Sequence, residues 1–452
     1  MSSRRSPLVI DMPPATESVS IAIKERAAWL DEVMFYGAIG LLMFGPLAFG
    51  ATQAWSQFVQ RTVALGLFAM WVARQFLQRT IELADNPVYA PAAVFAGLVT
   101  LQFVIGSTSY RYATLEQALN LIPCGVLILL AGELFARRSR LHQAVTAMAL
   151  FGFAVALFAI VQDFSNTHSI YWLVKVTAVS ADLYGPYANH NHYAGLMEML
   201  VPLAASAAFL ERGGKRALFL FASAIMALSI VLSRSRGGIL GLAVAVVLVC
   251  AVLYRGNRQH RAALALLVIS VVIAVVALFL ANDKILQHLS DTQDKFRLAI
   301  YGDSVRMWLH RPWFGFGWGT FSTVYPGFRS FYTNLFVNHA HNDYLELLVE
   351  MGIAGASVAA WFLFGVFRGG FRKVLDRKDY EGSVLALGAL TGITALLSHS
   401  MLDFNLHIPA NAALFFVLCS AAATPFRRRV RQLQFIHPEE DEVQPITVEG
   451  RA

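Results

Sequence analysis

The stretch KRALFLFASAIMALSIVLSRSRGGILGLAVAVVLVCAVLY, residues 215–254, contains two apolar runs, 215–233 and 237–254, joined by the turn SRSRGG at 233–238. A helix crosses a hydrocarbon core about 30 Å thick with about 20 apolar residues, so each run reads as a membrane-spanning helix. Both runs are continuous. Strands of a closed barrel would alternate with period two, which excludes that architecture.

Outward from this hairpin, further runs lie near 33–50, 60–78, 88–106, 113–135, 141–162, 192–211, 262–281, 343–367, 382–400 and 408–424, which predicts an all-α polytopic membrane protein with about 12 transmembrane helices. The composition agrees, with 57% of the 452 residues hydrophobic and only 14% charged. Most of the 36 Lys and Arg fall in one set of alternate connections: the N-terminus, 74–87, 136–140, 211–216, 255–261, 368–378 and the C-terminal tail. The positive-inside rule then puts both termini in the cytoplasm. On this reading the net charge of +7 reflects topology, and no basic run interleaved with stacking aromatics points to nucleic acid.

The expected organisation is a cytoplasmic segment over 1–32, a membrane domain over 33–424 and a cytoplasmic tail over 425–452. The tail opens on a basic run, turns acidic at Glu439–Glu442, and reads as disordered. The N-terminus has no apolar core followed by a small-residue cleavage site, so no cleaved signal peptide is expected. Cys124, Cys250 and Cys419 all fall inside predicted spans and read as small packing residues.

Two outward connections are long: 163–191, and 282–342 between spans 9 and 10. Loops of that length are uncommon without a task. Nine of the 12 histidines gather on this side: His168, His190, His192, His288, His310, His339, His341, His399 and His407.

Five motifs carry chemistry there. In GPYANHNHYAGLMEM, 185–199, Asn191, Ala194, Gly195 and Glu198 share a helical face, which places a carboxylate under Asn191, about two turns into the membrane; His192 stands at the same helix mouth. The bland reading is that Asn191 caps the helix and Glu198 is structural. In SRSRGG, Arg234 and Arg236 break the positive-inside trend. Guanidinium forks suit phosphate oxygens, and snorkelling to lipid headgroups is the alternative.

In the large loop, Arg297, Arg306 and Arg311 precede Gly315-Phe-Gly-Trp-Gly319, whose flanking aromatics suit either stacking on a sugar or a place at the membrane interface. In VNHAHNDYLELLVEMGIAG, 337–355, His339 and His341 precede Asn342, a helix cap, then Tyr344 and the pair Glu346 and Glu350. The turn SHSMLDFNLHIPAN, 398–411, spaces His399, Asp403 and His407 four apart, a pattern that would let carboxylate orient imidazole. The X-His-X-His pairs are weak metal signals without HExxH or cysteine pairs, so neither metal nor other cofactor is expected.

Together these motifs resemble the O-antigen ligase/polymerase superfamily of bacterial inner-membrane glycosyltransferases. The resemblance covers about 185 to 411: twelve spans, Ser235-Arg236-Gly237, a large loop opening with Arg297, and His341-Asn342-Asp343-Tyr344-Leu345 with Gly352 and Gly355 beyond. It implies transfer of a glycan from a polyprenyl diphosphate carrier to an acceptor at the periplasmic face, without nucleotide sugar or metal. The acceptor is lipid A-core in ligases and a growing repeat-unit chain in polymerases, the latter with a chain-length regulator as a further partner. His341 would be the base, and Arg236 and Arg297 would hold the diphosphate, with Arg234 and Arg306 as further candidates. His339, Asn342, Tyr344, Asn191, His192, Glu198, Asp403 and His407 would support them. A protein O-oligosaccharyltransferase and a small-anion transporter are the competing readings. The crowding of ionisable groups at one end of the spans argues for chemistry over transport.

Overall fold

A computed structural model describes residues 17–79, 81–165, 167, 169–175, 182–254, 292–334, 336–376, 378–425 and 431–433. The described chain is mostly helical: α1 (Glu17–Leu47), α2 (Ala54–Gln78), α3 (Tyr89–Val104), α4 (Arg111–Leu134), α5 (Arg138–Phe164), α6 (His190–Leu210), α7 (Gly213–Leu232), α8 (Arg236–Tyr254), α9 (Thr292–His310), α10 (Phe321–Val324), α11 (Asp343–Val374), α12 (Tyr380–His399) and α13 (Pro409–Ala423). Every predicted run except 262–281 coincides with one of these helices; 262–281 lies outside the described residues, as do His168 and His288.

Among the described residues, seven helices are long and apolar enough to cross a membrane: α1 from Arg26, α4, α5, α6, α7, α11 and α12. α3, α13 and α8 up to Val249 are shorter apolar helices. α2, which carries Arg61, Arg74 and four glutamines, belongs to neither group. The chain is a multi-pass membrane protein.

α6 is the axis of the bundle, buried over nearly all its length from His192 to Ala208 and packed against α5, α7, α8 and α12. Aliphatic contacts between helices gain no hydrophobic driving force in lipid, so the polar groups on α6 have to find partners within the bundle. At one end of the bundle, ion pairs join neighbouring elements: Arg74 to Asp31 at 2.7 Å, Arg140 to Glu32 at 2.7 Å and Arg138 to Asp379 at 2.6 Å. Most of the histidine-rich motifs meet elsewhere.

Three short 3-10 segments (Phe49–Ala51, Tyr325–Gly327 and Asn405–His407) and two small antiparallel ladders complete the described secondary structure: β1 (Ile81–Leu83) with β4 (Arg431–Leu433), and β2 (Ser169–Ile170) with β3 (Val174–Lys175). Pro425 and β4 are the described parts of the tail that reads as disordered.

The hydropathy of 343–367 gives no hint that α11 is broken, yet Gly352 has φ 61° and ψ −162°, a conformation open essentially to glycine alone. Backbone groups freed by the break are bonded by the loop that precedes it. Phe316 and Gly317 donate N–H bonds to the carbonyls of Val349 and Glu350 at 2.9 Å each, while Ile353 and Ala354 donate to Pro312 and Trp313 at 2.8 and 3.0 Å. Gly315 and Gly352 permit this approach, since a Cβ on either would strike the opposite backbone. This accounts for the glycine at 315 by backbone docking, while Gly317, at φ 116°, lies against Thr108. Phe316 is buried, while Trp313 and Phe314 remain exposed.

Candidate active site

Asn189, not Asn191, caps α6 by accepting the Asn191 N–H at 2.8 Å. That leaves the Asn191 side chain free to accept the Ser235 hydroxyl at 2.7 Å, which ties the mouth of α6 to the arginine turn. Arg234 sits in that turn with φ 61° and its side chain exposed; Arg236 opens α8 half-buried. Ser235 Oγ accepts the Gly238 N–H at 3.1 Å, as a helix cap does.

Gly237 lies directly on the His399 ring, and a Cβ there would collide with it. Beneath, His399 Nδ1 meets Glu198 Oε1 at 2.9 Å with both side chains at most 1% exposed. Glu198 is therefore half of a buried ion-pair or hydrogen-bonded couple linking α6 to α12, next to the arginine turn.

The spacing of His399, Asp403 and His407 suggests one group, but the structure sends each to a different partner. The helix ends at His399 and only Asn405–His407 turns again, as a 3-10 segment, so helical spacing does not apply between them. His399 meets Glu198. Asp403 meets His341 Nδ1 at 3.4 Å, and its side chain is 1% exposed against 31% for the imidazole. Burial alone would raise the Asp403 carboxyl, but the His341 hydrogen bond and the neighbouring His192 and His399 hold it well below the usual carboxylate range.

His341 has φ 52°, in the sparsely populated left-handed region for a residue with a side chain. Three bonds hold this turn: Tyr301 donates its hydroxyl to the His341 carbonyl at 2.9 Å, Glu346 Oε2 accepts the Ala340 N–H at 2.8 Å, and Glu346 N–H reaches the Asn342 carbonyl at 3.0 Å. Asn342 caps α11 by accepting from Tyr344 and Leu345 at 3.0 Å each, and its amide donates to Met401 O at 2.9 Å. The Tyr344 hydroxyl donates to Leu397 O at 2.8 Å.

His407 bonds Asp343 Oδ1 through Nδ1 at 2.8 Å, while its Nε2 lies 3.3 Å from Glu346 Oε1, which also meets His339 Nδ1 at 2.8 Å. Burial pushes His407 down, but the carboxylates of Glu346, Asp343 and Glu350 outweigh it and raise the imidazole to about 10. Among the described residues, His339, Glu346 and His407 form a set able to hold a metal ion, with ligand atoms within 4.8 Å of one another.

Phe404, which sequence reasoning passed over, is the ring around which the imidazoles gather: His339 stacks on it at 4.1 Å, with His192 and His341 edge-on at 4.8 and 5.2 Å. Its only sequence signal is its place beside Asp403.

Arg297 lies one helical turn before Tyr301 on α9, hence on the face of that helix turned toward the His341 carbonyl. Arg306 is engaged by Asp303. The Asp303 carboxylate also accepts the Tyr325 hydroxyl at 2.9 Å and the Ser330 N–H at 3.0 Å, so Asp303 belongs to the internal framework of the loop, while the Arg306 side chain stays exposed. Trp318 is stacked on His407 at 6.0 Å, which turns one aromatic of the glycine-rich stretch inward.

Residues 221–360 match the O-antigen ligase family model, and this match supports the O-antigen ligase/polymerase superfamily for the chain. The matched segment runs from α7 through the arginine turn and large loop into α11, and so includes Arg236, Arg297 and His341 while omitting Glu198 and Asp403. No curated protein matches the sequence.

Proposed function

We propose that the protein transfers a glycan from a polyprenyl diphosphate carrier to a sugar acceptor at the periplasmic face of the bacterial inner membrane, inverting the anomeric centre without a metal. The observation that carries this reading is the buried Asp403 carboxylate at Nδ1 of the partly exposed His341. A carboxylate at one ring nitrogen fixes the tautomer and strengthens the other as a proton acceptor. Nε2 then takes the proton of the acceptor hydroxyl as that oxygen attacks the anomeric carbon. The 3.4 Å separation is long for a hydrogen bond, as is common before substrate binds.

Departure of the diphosphate builds negative charge on its bridging oxygen. Arg236 and Arg297, with Arg234 at the rim, are the cations that would stabilise it in a poorly solvated mouth. Arg306 is a further candidate for the same role.

The test is a reconstituted assay with polyprenyl diphosphate-linked glycan, offering lipid A-core and unextended repeat unit as separate acceptors, with and without EDTA. Product on lipid A-core makes the protein a ligase, and a ladder of repeats makes it a polymerase. Absence of product with either would transfer the reading to a protein acceptor or to anion transport.

A further inference from the structure

We infer that His339, Glu346 and His407 form a binding site for a divalent cation of the zinc class, which braces the turn carrying His341 against the turn carrying Asp403. The inference does not depend on the transfer reading, because it rests on the ligand set itself.

Glu346 Oε1 lies between two imidazole nitrogens, 2.8 Å from His339 Nδ1 and 3.3 Å from His407 Nε2. That His407 nitrogen is buried and, despite its distance to Glu346, makes no hydrogen bond of acceptable geometry. A metal ion there would displace the proton on that nitrogen and take its lone pair, as metal binding to an imidazole does. Glu350 Oε2, one turn further along α11, is likewise buried without a hydrogen-bond partner.

Each ligand is oriented from behind. Asp343 holds Nδ1 of His407 at 2.8 Å, the carboxylate-imidazole arrangement that directs the opposite nitrogen to a metal. The Ala340 N–H fixes the second oxygen of Glu346 at 2.8 Å. His339 is stacked on Phe404, and His407 lies under Trp318. His339 is 24% exposed, which supplies an entry path.

Two imidazoles and one carboxylate suit zinc-class ions over magnesium or calcium, which prefer all-oxygen sites. No part of the sequence displays the set, because His407 lies far along the chain from His339 and Glu346. A bound ion would couple the 339–346 segment to the 405–407 turn on either side of Phe404, which separates this cluster from the His341–Asp403 pair.

The experiment uses the full-length protein in nanodiscs, with its affinity tag removed and metal stripped by chelation. Cobalt(II) is titrated by its visible absorption and then displaced with zinc. One equivalent of cobalt is expected, lost in both H407Q and the partly exposed H339Q, and bound about 10–100-fold more weakly in D343N. Zinc should raise the melting temperature of the wild type and leave H407Q unmoved. Absence of stoichiometric binding, or binding retained in H407Q and H339Q, would overturn the site and leave a cluster that shares protons only. Transfer is assayed in the same preparation with EDTA. Its loss there would overturn the metal-free mechanism while leaving the binding site standing.

Discussion

His341 precedes α11 and Asp403 follows α12, and their contact at 3.4 Å joins a partly exposed imidazole to a carboxylate sealed from solvent. Replacing His341 with Ala should lower kcat by about 10²–10⁴-fold, the usual contribution of general-base catalysis. Donor KM should change little and the protein should stay folded in the membrane. Asp403→Asn should act in the same direction, since it keeps the packing and removes the charge that orients the ring. Steady-state kinetics on purified variants decide the matter; full activity in His341→Ala would sink the base assignment.

Arg236 and Arg297 should behave differently from the base. Arg236→Lys keeps the charge but loses the fork that grips two oxygens, so turnover should fall and donor KM should rise. Arg297→Ala should do the same. Unchanged donor kinetics in both variants would remove the diphosphate role from them.

Gly237 rests on the ring of His399, whose partner is Glu198. Gly237→Ala should displace that buried couple and the adjoining arginine turn, lowering kcat/KM on the order of 10²-fold, as small misplacements of a reacting group do. Glu198→Gln provides the contrast. A normal rate with a reduced melting temperature in that variant would make the couple structural only.

Gly352 should tolerate no side chain. Gly352→Ala puts a Cβ into the Trp313 backbone and forces alanine into a region that costs about 1–3 kcal/mol. A lowered melting temperature in detergent, with loss of amide-exchange protection over 312–317, is the expected signature.

Acid should loosen the large loop through Asp303. Burial alone would raise this carboxyl, but bonds from Ser330, Arg306 and Tyr325 lower it below the ordinary 3.8. A group depressed on folding stabilises above its unfolded value and loses that contribution as pH falls through the folded one. Proteolytic cleavage around 320–334 should therefore rise only below about pH 3.8. Asp303→Asn should cleave readily at neutral pH, without the acid step.

The helices were legible because continuous apolar runs depend on nearest neighbours alone. Cap positions were nearly so: Asn342 caps as read, while the bland alternative for 185–199 offered Asn191 where Asn189 serves, since either asparagine satisfies the local rule. The pairing of ionisable groups was not legible. His399, Asp403 and His407 look alike in sequence, yet they reach Glu198, His341 and the Asp343–Glu346 pair. Those choices are made by helix ends and by which neighbouring helix lies nearest. The break in α11 was hidden for a related reason. Its freed backbone groups are bonded by a segment more than thirty residues earlier in sequence, so local hydropathy carries no trace of it.

That break orders events during synthesis. The segment 312–317 leaves the ribosome before α11, so its backbone can be waiting on the same side of the bilayer when residues 349–354 arrive. Until it docks, the broken turn would present bare amides and carbonyls to lipid. The nascent helix thus depends on an already delivered stretch of its own chain, much as a late arch stone depends on the ones set before it.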